Sequence, residues 1–253
     1  MSDFDRNYAA ATRGVGAVQA AVIDAGLRAY MIRVYNYMAM DVALTSVVAW
    51  LTFNAAVTTN GAGQLVLTSF GHAIYGGPAL IVLVLGTLGL VMFISFRIHA
   101  LQPGTALTLF MIYAGALGLM LSSVFLAYTG ASITRVFFIS AASFGALSLY
   151  GYTTQRSLSA MGSFLTMGLI GLIIAMLVNI FLKSTGLDFV ISAAGVLIFA
   201  GLTAWDTQKI KEMYDVMDDG TVAGRKAVMG ALSLYLDFIN LFLFMLRFLG
   251  DRR

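Results

Sequence analysis

Seven apolar stretches fill this chain from about Val34 onward, each near the roughly 20 residues that carry a helix across a bilayer. They run from about Val34 to Val57, Ala79 to Ser95, Ala106 to Tyr128, Val136 to Tyr152, Phe164 to Leu182, Phe189 to Trp205 and Ala227 to Leu249. In hydrocarbon every backbone N–H and C=O needs a partner within the protein, so runs of this length and spacing predict helices. The breaks between them are mostly short, which makes successive helices antiparallel neighbours. The expected fold is an all-α, polytopic membrane bundle. Composition agrees: 60% of the 253 residues are hydrophobic and 11% are charged, against about 25% charged in ordinary soluble domains.

Composition also excludes some chemistry. There are no cysteines, so disulfides, thiolate metal sites and a cysteine nucleophile are ruled out. The net charge is +3 and the charges lie mostly in loops, which gives no surface for nucleic acid. No cleavable signal sequence is visible, because the first thirty residues are polar and the first apolar run is too long. Residues 1–29 read as a cytoplasmic N-terminal segment, either a short amphipathic helix or unstructured, and 30–253 as a seven-helix membrane domain.

Lys and Arg set the expected topology. Arg6, Arg13, Arg28, Arg33, Arg97, Arg156, Lys209, Lys211, Arg225 and Lys226 fall in alternate connections, while the opposite set holds Arg135 and Lys183. The positive-inside rule therefore places the N-terminus in the cytoplasm. A seventh full span puts Arg247, Arg252 and Arg253 outside, against that rule; the alternative is a last segment that re-enters. Its unbroken apolar length after Gly230 favours a full span. Thr58 to Gly77 reads as a glycine-rich loop, Gln102-Pro103-Gly104 as a tight turn and Thr207 to Arg225 as a charged loop. Gly86 with Gly89, Gly115 with Gly118 and Gly168 with Gly171 suggest close helix packing.

The chemistry lies in the last two stretches. Asp41, Asp206 and Asp237 are the carboxylates inside or at the edge of apolar runs. An acid at bilayer depth costs roughly 2.5–3.5 kcal/mol on insertion scales, and it persists where it faces a protein interior or a water path and has a partner. Asp206 and Asp237 are the natural pair. Two carboxyls in contact in a low dielectric do not both ionise cheaply, so they exchange protons in coupled steps and form a switch near neutral pH. With both ionised they also offer an oxygen-rich site for Ca²⁺. Asn240 lies one turn after Asp237 and can support the carboxylate or an ion. Tyr235 either bonds the pair or packs. His72 and His99 are too far apart for a metal site.

The runs Phe199-Ala200-Gly201-Leu202-Thr203-Ala204-Trp205-Asp206-Thr207-Gln208-Lys209-Ile210 and Ala231-Leu232-Ser233-Leu234-Tyr235-Leu236-Asp237-Phe238-Ile239-Asn240-Leu241-Phe242-Leu243 closely resemble the Bax inhibitor-1 family, in the form of a bacterial member. So do Ser148-Leu149-Tyr150-Gly151-Tyr152-Thr153-Thr154 and Ala114-Gly115-Ala116-Leu117-Gly118-Leu119-Met120-Leu121-Ser122-Ser123. The likeness spans about Tyr30 to Leu249. It implies a central last helix within two three-helix groups, and a pH-sensitive calcium leak whose sensor is the aspartate pair matching Asp206 and Asp237. It also implies a basic residue on the second helix that pairs with an aspartate, for which Arg97 is the candidate here. Asp41 departs from the family pattern; it either adds a third pore carboxylate or hydrogen-bonds a neighbouring helix.

Two other functions compete with the leak. Bacterial proteins that this chain resembles have been linked to a membrane protease, which makes a regulator of a membrane partner the second reading. An intramembrane aspartyl protease needs Tyr-Asp and Gly-Leu-Gly-Asp motifs; Trp205 precedes Asp206 and Leu236 precedes Asp237, so no enzyme is expected. The expectation is a monomer or weak oligomer in a bacterial inner membrane, with no cofactor and with Ca²⁺ as the transported ion.

Overall fold

The computed structural model describes residues 3–61 and 64–253, with side chains from residue 24 onward. Helix α1 (Asp3–Ala56) leads into a hairpin of β1 (Val57–Thr59) and β2 (Leu65–Leu67), followed by α2 (Ser69–Tyr75), α3 (Gly77–Arg97), α4 (Pro103–Leu121), α5 (Val124–Ala127), α6 (Gly130–Thr153), α7 (Ser159–Leu182), α8 (Thr185–Glu212) and α9 (Gly220–Leu249). Seven of these helical segments are long and apolar enough to cross a membrane: α1 from Asp24, α3 with its 3₁₀ extension, α4 with α5, and α6 to α9. The chain is an integral membrane protein. The reading of 1–29 as a separate segment falls partly outside the described side chains; the α1 helix runs from Asp3 without interruption.

Local chemistry sets the helix ends. Pro103 opens α4 where its missing N–H costs nothing. Thr129, Ser184 and Asp219 cap α6, α8 and α9 with side-chain oxygens that accept from backbone N–H groups. Lys183 closes α7 in the left-handed region, at φ 50°.

Three connections differ from the sequence reading. The charged loop shrinks to residues 213–219, because its polar side chains fasten the end of α8 instead of opening it. The Gln208 Oε1 accepts from the Leu158 N–H at 2.7 Å, its Nε2 donates to the Arg156 carbonyl at 2.9 Å, and the Lys211 ammonium donates to the Tyr152 carbonyl at 2.9 Å. The Thr58–Gly77 loop holds the hairpin and α2, with Thr68 capping α2. The third apolar stretch breaks between α4 and α5, where Ser122 donates to the Leu119 carbonyl and accepts from the Tyr75 hydroxyl.

Helix α9 is the axis. Of its apolar window 72% is buried, against 11% for α3 and for α7. Helices α1 and α4 pack on one side of α9 with α3 behind α4; α6 and α8 pack on the other with α7 behind α8. This is the central helix between two three-helix groups. The glycine expectation holds only in part. A Cβ at Gly86, Gly89, Gly115 or Gly171 would meet nothing, while Gly118 abuts Thr45 and Val48 and Gly168 approaches Ile198. The tightest crossings involve other glycines: Gly151 against the Ala204 backbone, Gly162 against Trp205, Gly195 against Phe244 and Gly201 against Leu165. Glycine spacing marks a face of a helix, but not whether another helix covers it.

The last helix does not turn back. Its 30 residues run unbroken, about 45 Å. The segment after it lies beside the α5–α6 junction: the Thr129 N–H donates to the Asp251 carbonyl at 3.2 Å and the Arg253 N–H to the Ala127 carbonyl at 3.0 Å. At the opposite end Tyr30 of α1 packs on Tyr214 of the α8–α9 connection, ring centroids 5.6 Å apart. The basic residues near the end of α9 are compensated by acids: Asp188 lies 2.8 Å from Arg247 and 3.7 Å from Arg252, and Asp251 lies 3.0 Å from Arg135.

Candidate functional site

One stripe of α9, formed by Ser233, Leu236, Asp237, Asn240, Phe244 and Arg247, faces a cavity of about 980 Å³. The cavity lies in the gap between the two three-helix groups. Helices α7 and α8 wall one flank, and Leu88 of α3 with Val124 and Tyr128 wall the other. Gly162, Gly195 and Gly201 let α7, α8 and α9 approach closely enough to fix the register of α8 on α9. Phe199 then stacks on Phe244 at 5.7 Å.

That register brings Asp206 of α8 and Asp237 of α9 face to face within hydrogen-bonding distance, both lining the cavity. Asp237 is 5% exposed. Ionised carboxylates only accept, so a bond between two carboxyls needs a proton on one of them. The Oδ2 of Asp237 is buried and has no hydrogen-bond partner. The Asn240 amide nitrogen donates to the Leu236 carbonyl at 2.8 Å, and the side chain lines the cavity one turn beyond Asp237. Lys209, one turn from Asp206, lies near enough to act on it electrostatically and places its ammonium 4.9 Å from the centre of the Trp205 ring. Sequence reading missed Lys209 by assigning it to a loop. The missed signal was its spacing of three from Asp206 on a helix that continues to Glu212.

The other candidates are not brought to the pair. Tyr235 stands two residues before Asp237, more than half a helical turn away, and faces α1 and α4. Its hydroxyl lies 2.6 Å from the Thr45 Oγ1, and its ring meets Phe110 and Tyr113 edge-on at 5.3 and 6.0 Å. The Thr45 Oγ1 also lies 2.8 Å from the Asp41 carbonyl and 3.0 Å from that of Ala114. Asp41 is fully buried near Tyr235, and neither of its carboxyl oxygens has a hydrogen-bond partner. It does not line the cavity. Neither expectation for Asp41, a pore carboxylate or a hydrogen bond to a neighbouring helix, matches this placement, because the seam between α1, α4 and α9 closes over it. Arg97 ends α3, an outer helix, with an exposed side chain, and no ion pair is found for it among the described residues.

The pair can hold a cation only loosely. Ca²⁺ takes six to eight oxygens, and the described residues contain no group of three or more acids and histidines placed to share a metal.

A central helix within two three-helix groups, with an acid pair between its face and the sixth span, defines a class of membrane protein. The family model described as "Inhibitor of apoptosis-promoting Bax1" matches residues 27–253, and the chain belongs to the Bax inhibitor-1 family. Its relatives include a Rickettsia prowazekii protein, 49% identical over 230 residues that cover 91% of this chain and 92% of the relative. The inner membrane protein YbhL of Escherichia coli is 45% identical over 231 residues, 90% of this chain and 94% of YbhL. A Caulobacter vibrioides protein is 41% identical over 255 residues and covers both chains in full.

Proposed function

We propose that this protein is a pH-sensitive cation leak that carries calcium, gated by proton exchange at Asp206 and Asp237. The observation that carries this reading is the acid pair at the wall of a cavity between the two helix groups. While one carboxyl donates to the other, the bond ties α9 to α8. A change in the pair's proton count replaces that bond with two like charges or two neutral acids, and the preferred position of α9 changes. Because α9 is the shared wall of both helix groups, its shift alters the path beside it. The same carboxylates are the ligands that attract a cation into that path.

YbhL is named an inner membrane protein, and we place this chain in a bacterial inner membrane with its N-terminus in the cytoplasm. The charge distribution supports that orientation: Arg28, Arg33, Arg97, Arg156, Lys209, Lys211, Arg225 and Lys226 gather at the end of the bundle where α1 enters.

The test is calcium and potassium flux from liposomes carrying the pure protein, followed across a series of pH values. Wild type gives a flux that varies with pH, and Asp206→Asn or Asp237→Asn flattens it. An unchanged profile in both variants overturns the gate. A second reading, regulation of a membrane partner such as a protease, is favoured by one observation: α1 continues as helix for 21 residues ahead of its membrane span at Asp24. Pure protein that carries no ion, with a partner recovered through that extension, supports the second reading over the first.

A further inference from the structure

The cavity beside α9 has a charged group at each end. Lys209 stands near Asp206 toward one end. Arg247 lies on the same stripe as Asp237, ten residues further along α9, about 15 Å away. Arg247 also lines the cavity, and its guanidinium is held by the Asp188 carboxylate at 2.8 Å. Asp188 belongs to the first turn of α8, the helix that supplies Asp206. The two helices that meet at the acid pair therefore meet again at this ion pair.

Resting on the leak reading, we propose that Arg247 is a specificity-determining residue: its positive charge, tempered by Asp188, sets how readily divalent cations pass relative to monovalent ones at that end of the cavity. A cation approaching the acid pair from this end encounters a fixed positive charge whose side chain is 39% exposed, so that any water at the cavity end screens it in part. The Coulomb energy of a divalent ion at any point is twice that of a monovalent ion, and the Boltzmann factor is accordingly squared. Asp188 works in the opposite sense. It cancels part of the charge, and it divides its own between Arg247 and Arg252, which lies 3.7 Å away. Mouth charge here depends on how one acid is shared.

This arrangement separates an electrostatic role from a structural one. Arg247→Gln and Asp188→Asn break the same ion pair, so a tie that merely holds α8 to α9 predicts the same change in both variants. A charge filter predicts opposite changes. Arg247→Gln removes the positive charge and raises cation flux; a rise of about threefold for K⁺ goes with about ninefold for Ca²⁺. Asp188→Asn leaves the Arg247 charge uncompensated and lowers both fluxes, Ca²⁺ more than K⁺. The double variant removes the charges together and returns the Ca²⁺ to K⁺ ratio toward wild type.

The experiment is paired K⁺ and Ca²⁺ flux in liposomes at one fixed pH for the wild type and these three variants, with melting of each in detergent as a control for folding. Opposite shifts in the two single variants, larger for Ca²⁺, support the proposal. Shifts of the same sign, or a ratio unchanged in a folded Arg247→Gln protein, overturn it and leave the leak reading intact. Wild-type protein that carries no ion overturns the leak reading and this inference with it.

Discussion

The two faces of α9 bury acids under opposite conditions. On the α8 face, Asp237 meets Asp206 and both line a cavity. On the α1 and α4 face, Asp41 lies sealed, near a tyrosine and with no hydrogen-bond partner for either carboxyl oxygen. A carboxyl with a partner and a path can exchange a proton, and each exchange changes what holds the helices together. A carboxyl without them has no such use, since ionising it in that seam carries a large desolvation cost that nothing nearby offsets. On the proposed reading, bilayer depth alone does not make an acid functional; what decides is the presence of a second group and a route for protons or ions.

The largest effect that can break this comparison is on flux. Asp237→Asn abolishes the pH dependence of flux in liposomes, and Asp41→Asn leaves it standing. Equal losses in the two variants show that the faces are coupled and that the sealed acid belongs to the gate.

Next come the anchors. Tyr235 is fully buried and packs between Phe110 and Tyr113. Tyr235→Ala costs about 3–5 kcal/mol, the usual range for deleting a large buried ring, read as denaturant or thermal melting in detergent. The midpoint of the pH response stays where it was, because the residue faces away from the pair. On the other face, Gly195→Val costs about 1–3 kcal/mol by overpacking, since a Cβ there runs into the Phe244 ring. That variant also moves the midpoint, because it displaces α8 from α9 within a few turns of Asp206. A Gly195→Val protein with a normal pH profile shows that the register of α8 on α9 does not position the acids.

Much of the first face was legible in the sequence, for a physical reason. Apolar length marked the seven spans, and Asp206 and Asp237 stood out because a charge is conspicuous in an apolar helix. Their meeting was anticipated by chemistry: each needs a partner, and few were on offer. The second face was not legible. Asp41 looked like its fellow acids because composition does not show whether a seam is open or sealed. Of the two readings of Tyr235, bonding the pair or packing, the structure bears out packing against Phe110 and Tyr113, because two steps along a helix turn a side chain to the far side. Arg97 was chosen for being the basic residue of the second span, but the helix that carries it ends outside the core. Lys209 was overlooked for the opposite reason: its charge suggested a loop, while its neighbours Gln208 and Lys211 hydrogen-bond the α6–α7 turn and the end of α6.

Smaller still is the loss of one hydroxyl. Tyr235→Phe keeps the ring and removes the 2.6 Å contact with Thr45, at about 1 kcal/mol. The cost stays low because Thr45 can still donate to the carbonyl of Asp41 or Ala114. A cost of several kcal/mol in the same melting assay indicates that the Tyr235 hydroxyl serves Asp41 as well.

The smallest change is the one that tests the sealed face most directly. Asp41→Asn replaces a carboxyl with an amide of nearly the same shape. If the acid is carried neutral, as burial without a donor requires, the exchange swaps one neutral polar group for another in the same closed seam. Neither carboxyl oxygen has a hydrogen-bond partner to lose, so stability changes by less than about 1 kcal/mol and the melting temperature of the variant follows that of wild type at every pH. A carboxylate ionised in that seam behaves differently: neutralising it removes a charge whose burial the fold must otherwise offset, and the difference between variant and wild type grows as the pH is raised. A pH-dependent gap in melting between Asp41→Asn and wild type therefore breaks the comparison, because it shows that a proton or a cation reaches the α1 face of the helix after all.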